Sequence, residues 1–263
     1  MAKALPKPNL TAGSLYSQSA RLIFQRHRSL IIQPVLILIL SAGLALTLSR
    51  AHLDVIEKVT INKAFIFRAI QDHLILSFAS AAVILAVAVP AGILLTRRRY
   101  KKFTPVVLIL ANIGQAFPAV GVLIIAGILF GFGKPIAIFS FAAFGILPIL
   151  RNTIVGLQEI DPFIIESAMG MGMTPKQALR QIELPLAVPV ILAGVRTTLI
   201  LTVGVATLGV FVNGGGLGTL IIPGLKLNRE LVLVTGGMLT VIVAFTMDWL
   251  ARAAEELLRP RGI

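Results

Sequence analysis

The sequence predicts an all-α integral membrane protein with six transmembrane helices and a structured cytoplasmic loop between the fourth and fifth. Three observations carry this expectation. The 263 residues are 57% hydrophobic and only 13% charged, whereas a soluble domain carries about 25% charged residues. Mean hydropathy is +0.93, an apolar excess that a soluble core cannot bury, so lipid is the solvent for much of the chain. Six apolar stretches, 30–49, 73–95, 104–130, 135–150, 186–211 and 231–251, qualify as spans, given the roughly 20 residues that cross a hydrocarbon layer of about 30 Å.

In chain order, residues 1–29 form a polar, basic lead (Lys3, Lys7, Arg21, Arg26, Arg28). The run after it reaches full spanning length, which reads as a retained helix and not a cleavable signal. Residues 1–72 are therefore taken as a cytoplasmic N-terminus, the first span and an external loop. In the third span, Asn112 and Gln115 lie just before Pro118, where a kink is expected. A tight turn, Gly131-Phe132-Gly133-Lys134-Pro135, separates it from the fourth span. No span holds a charge at its centre. Arg196 and Asp248 lie near the ends of the fifth and sixth, where long side chains snorkel to the interface. Residues 73–251 form a five-span core that includes the 151–185 loop, and residues 252–263 form a cytoplasmic tail.

The net charge of +13 is open to a nucleic-acid or a membrane reading until the charges are placed. Seventeen of the 24 Lys and Arg residues fall on the side of the two termini, and seven on the other. The positive-inside rule then puts both termini, the Arg97–Lys102 run and the 151–185 loop in the cytoplasm. That basic run is a topology anchor on anionic lipid, and no nucleic-acid partner is expected.

The 151–185 loop carries its own helix signals. Asp161 followed by Pro162 is an N-cap with proline at the first helical position, predicting a short helix through Met169. Gly170-Met171-Gly172 breaks it. Thr174, Pro175 and Gln177 start a second helix with a capping box, expected over Lys176–Ile182 and ending before Leu184-Pro185. A helix–elbow–helix on the cytoplasmic face is shaped to dock against a soluble partner. An amphipathic loop lying on the membrane explains Ile164, Ile165 and Met169 equally well, but not the spacing described next.

That spacing is Glu166-Ser167-Ala168, three residues, Gly172, nine residues, then Ile182, one position open to any residue (here Glu183), Leu184 and Pro185. It resembles the cytoplasmic signature of ATP-binding-cassette (ABC) importer permeases, departing only in Ser167 for an alanine. The resemblance implies the type I, methionine-importer-like permease fold. It makes the loop the coupling helix that sits in a cleft of a separate ATPase subunit. Glu166 would be the charged contact and Gly172 the elbow, with Ser167, Ala168, Gly170, Met171, Thr174 and Pro175 completing the coupling surface. From about 73 to 250 the chain also resembles permeases of quaternary-ammonium osmoprotectant importers (glycine betaine, choline, carnitine). The residues are Pro90-x-Gly92 through Arg97, Asn112-Ile113-Gly114-Gln115-x-x-Pro118, Leu147 through Thr153, Gly170 through Thr174, and Gly214-Gly215-Gly216-Leu217-Gly218. The partners implied are ABC ATPase subunits that bind ATP and magnesium, an extracytoplasmic binding protein, and a second permease copy or paralogue. No cofactor is expected in this chain.

Other candidates are weaker. Gly127 through Lys134 mimics a P-loop, but the glycine spacing is wrong and Pro135 replaces the Ser/Thr. His27, His52 and His73 are read as scattered over a terminus and an external loop, without cysteine companions, so no metal site is expected. The translocation pathway is assigned to Asn112, Gln115, Pro118, Thr198 and Thr202. The bland alternative is that the threonines bond their own backbone and Gln115 bridges to another helix. Asn213, Gly214, Gly215 and Gly216 are assigned to binding-protein docking in an external loop over 212–229, or else serve a tight turn. Two alternatives remain open: an importer of another small solute such as methionine, and a channel or secondary carrier without an ATPase.

Overall fold

The computed structural model describes residues 12–258. The Lys3 and Lys7 end of the basic lead and the tail from Arg259 onward lie outside these residues. Helix α1 (Ala12–Arg50) carries the first apolar stretch over Ile31–Arg50. A short helix α2 (Val55–Thr60) starts with a capping box, the Glu57 N–H donating to Asp54 and the Asp54 N–H to Glu57. The Glu57 N–H foremost, with the guanidinium of Arg229 and the Ile56 N–H, holds the Asp54 carboxyl below its ordinary range.

Helix α3 (Lys63–Thr96) starts well ahead of residue 73 because Asn62 caps it, accepting from the Phe65 N–H at 2.8 Å. At about 1.5 Å per residue, 34 residues span roughly 50 Å, more than the hydrocarbon layer requires. The early start places His73 inside α3 and fully buried, which corrects its assignment to an external loop.

The third expected span is two helices, α4 (Thr104–Ala116) and α5 (Ala119–Phe130), bent by 93° at the break. Phe117 lies extended, at φ −70° and ψ 144°, because the ring of Pro118 disfavours a helical conformation in the residue before it. The other five stretches each begin in one long apolar helix, the stretch 186–211 running on from its α-helix into a 3-10 segment, Thr207–Val212, and the total is six if the bent pair is one crossing. These are α1, α3, α6 (Lys134–Gln158), α9 (Leu184–Ala206) and α11 (Glu230–Leu258), the last two following the short helices α7 (Pro162–Gly170), α8 (Pro175–Ala178) and α10 (Gly218–Lys226).

Helix α6 is the hub and packs chiefly on α3 and α9. Small residues let the backbones approach, as is usual in lipid. A Cβ on Gly92 of α3 would meet Thr153 of α6 at 2.7 Å, and one on Gly194 of α9 would meet the Pro148 carbonyl of α6 at 3.0 Å. Around these crossings Ile84, Ala88, Ile149 and Ile154 form one apolar core, and Leu157, Ala187 and Ile191 another. The expected external loop over 212–229 is largely α10, folded against α11 with Leu220 fully buried.

Candidate coupling and translocation sites

The loop between α6 and α9 is built as its capping residues dictate. Asp161 accepts from the Phe163 N–H at 2.9 Å and starts α7. The Gly172 N–H closes the helix on the Met169 carbonyl, with Gly172 at φ +91°. Thr174 and Gln177 then form the capping box of α8. The second helix does not stop before Leu184. It passes through a π-helical turn, Leu179–Glu183, directly into α9, with the Leu184 N–H reaching the Leu179 carbonyl. Pro185 lacks an N–H and its ring excludes the carbonyl four residues back. The wider π turn accommodates it without ending the helix.

Glu166, Ser167, Gly170, Met171, Gly172, Thr174 and Pro175 are all exposed. Ala168 and Ala178 are buried to 1% exposure, so small side chains seat both short helices on the body. Phe163 and Met171 stand out at 73% and 75% exposure beside Glu166. The result is an exposed apolar surface that carries Glu166 and adjoins the end of α6 and the start of α9.

A fastening missed in the sequence lies at the root of this loop. The guanidinium of Arg97, which caps the C-terminus of α3, forms a two-pronged pair with Glu183, at 3.1 Å to Oε1 and 2.5 Å to Oε2. Glu183 is only 5% exposed. The basic run around Arg97 is thus not uniformly a lipid anchor. Arg196 and Asp248 do not snorkel either. They pair with each other, and Asp248 also accepts from Gln33 of α1 and from Arg252. An intramembrane carboxylate is stabilised by such pairing.

The pathway candidates divide. Asn112 is exposed and Gln115 half-buried on α4, and neither hydrogen-bonds to another described residue. Pro118 is exposed at the break. Thr198 and Thr202 are fully buried. Thr198 donates to the Gly145 carbonyl and Thr202 to the Leu199 carbonyl, because their face of α9 packs on α6. They are helix-packing residues in this conformation.

At the opposite end of the helices, Asn213 is exposed in a left-handed conformation, whereas Gly214 and Gly216 are buried. A Cβ on Gly214 would strike the Gly209 carbonyl at 2.9 Å, and one on Gly215 would stand 2.5 Å from Asp72 Oδ2. These glycines make room for a segment clasped by α3. Asp72 pairs with Lys134, and His73 Nδ1 accepts from the Leu217 N–H at 3.3 Å. Of the four residues assigned to docking, Asn213 offers a side chain to the exterior.

This architecture agrees with known proteins. The model of the family described as binding-protein-dependent transport system inner membrane component matches residues 88–260. The choline transport system permease protein OpuBB of Bacillus subtilis is 39% identical over 192 residues, 73% of this chain and 88% of that protein. The glycine betaine/carnitine/choline transport system permease protein OpuCB of the same organism is 38% identical, with the same coverage. The MetNI methionine ABC transporter, solved in an inward-facing conformation, has the same fold, with a TM-score of 0.64 at 23% identity over 76% of this chain and 100% of that chain. The chain therefore belongs to the binding-protein-dependent transport system inner membrane component family and is the permease component of an ABC importer.

Proposed function

We propose that the importer carries a quaternary-ammonium osmoprotectant of the choline, glycine betaine or carnitine type, driven by a separate ATPase subunit that docks on the Glu166–Pro175 surface. The observation that carries the coupling assignment is the exposure of most of that stretch, in which only Ala168 is buried and Met173 half-buried. A capped and rigid apolar knob in the cytoplasm is costly unless a partner covers it. The cargo assignment is supported by relatives whose names specify choline, glycine betaine and carnitine. ATP and magnesium belong to the ATPase, and closure of an ATPase pair on the two coupling loops of a permease pair moves the spans between inward- and outward-open states.

Asn112 and Gln115 face the route. An amide without a partner is costly against lipid and favourable against a water-filled cavity or a second permease. Both termini and the coupling loop are cytoplasmic, consistent with the basic residues concentrated on that side. The binding protein delivers cargo to the opposite face, near Asn213 and the exposed Leu225–Asn228 corner.

Uptake of radiolabelled choline and glycine betaine into cells lacking other osmolyte importers tests the cargo. Saturable uptake that depends on this chain and its ATPase is expected. Methionine uptake in place of either compound would overturn the assignment.

A further inference from the structure

Arg97 and Glu183 are far apart in sequence and neither lies on the docking surface, yet they form the tightest polar contact at the root of the coupling loop. The planar guanidinium fork matches both carboxylate oxygens, the strongest geometry available to such a pair. Arg97 Nε also donates toward the Ile93 carbonyl and Thr96 Oγ1, each at 3.3 Å, so the fork is locked to the end of α3. Glu183 closes the π turn that feeds α8 into α9. The pair therefore joins the coupling loop to α3 laterally, in addition to the covalent continuity of α8 with α9.

At its other end, α3 holds the outer segment through Asp72 with Lys134, through Asp72 against Gly215, and through His73 with Leu217. Some 25 residues of helix separate these clasps from Arg97, about 37 Å and close to a full membrane crossing.

We propose that Arg97 and Glu183 are positioning residues for energy coupling. They make α3 a rod that carries displacement of the coupling loop to the glycine-rich outer segment. This rests on the coupling-loop assignment above but does not depend on the identity of the cargo.

The test uses the complete importer in proteoliposomes, with Arg97→Lys, Glu183→Gln and the exchanged pair Arg97→Glu/Glu183→Arg. Lysine keeps the charge and loses the fork. Solute imported per ATP hydrolysed is expected to fall about tenfold in each single variant, within the usual range for coupling energies, and to recover in the exchanged pair. Wild-type ratios in both single variants would overturn the proposal. So would variants that merely assemble in lower yield while the assembled fraction keeps the wild-type ratio.

A second readout needs no cargo. The chain contains no cysteine, so spin labels introduced by Gln71→Cys on α3 and Lys176→Cys on α8 report one intramolecular distance. With ATP and vanadate, that distance is expected to keep a narrow distribution beside native Arg97 and to broaden with Arg97→Lys. Identical distributions would refute the rod even if the wild-type importer carried neither choline nor betaine.

Discussion

Gly172 combines two properties that mutation can separate. Its φ of +91° strains any other L-residue, yet no atom lies within 4 Å of where a Cβ would stand. Gly172→Ala adds backbone strain of about 1–2 kcal/mol without a steric conflict, whereas Gly172→Asp also places a charge on the surface proposed to dock the ATPase. The alanine variant should retain measurable uptake and co-purify with the ATPase. The aspartate variant, and Glu166→Lys, should lose uptake and ATPase retention while still inserting in the membrane. Equal behaviour of the alanine and aspartate variants would show that strain alone explains the site. At this scale Asp161, Thr174 and Gln177 were legible, because a cap needs only local spacing. Arg97 with Glu183 was not, since the pair is 86 residues apart and Glu183 occupies a position that the signature leaves open. Thr198 and Thr202 misled, because periodicity does not say whether a polar face meets water or another helix.

Helices α6 and α9 approach through their glycines, and that contact sets the stability of the core. A Cβ on Gly156 would already meet Val190 at 3.0 Å and the Ala187 carbonyl at 3.3 Å. Gly156→Leu must separate the two helices, with an overpacking cost of about 1–3 kcal/mol. Thermal unfolding in detergent should occur at a lower temperature than in wild type; an unchanged midpoint would contradict the close crossing. Element existence was readable from apolar length, and the third span carried its own warning in Phe117-Pro118. The 93° bend was beyond a hydropathy pattern, because proline breaks the helix while neighbouring packing sets the angle. Helix α10 was missed for a related reason: its nine residues are too few to register as a span and derive their order from α11.

For the whole molecule, the distribution of basic residues makes a directional claim. A single cysteine at Lys226 should react with a membrane-impermeant maleimide added outside intact cells. One at Lys176 should react only after the membrane is opened. The reverse pattern would invert the topology and remove the coupling loop from the side where ATP is. Charge asymmetry is the feature of the sequence that bears on orientation, because it acts on the chain as a whole. The clasps along α3 were hidden because they depend on which loops fold back.

The π turn at Leu179–Glu183 turns residue counting into angular phase. An α-helix advances about 100° per residue, and a π turn holds one extra residue within the helix. Winding the same five residues as a regular α-helix would swing everything before them by roughly a quarter turn about the axis of α9, whereas deleting one of them would leave the phase nearly unchanged. Ala178 would leave its seat in the first case, and the exposed face of α7 would turn with it. The winding between Gly172 and Pro185 is thus a setting of rotation: it aims the knob on α7 in the way that a keyway fixes a gear on its shaft.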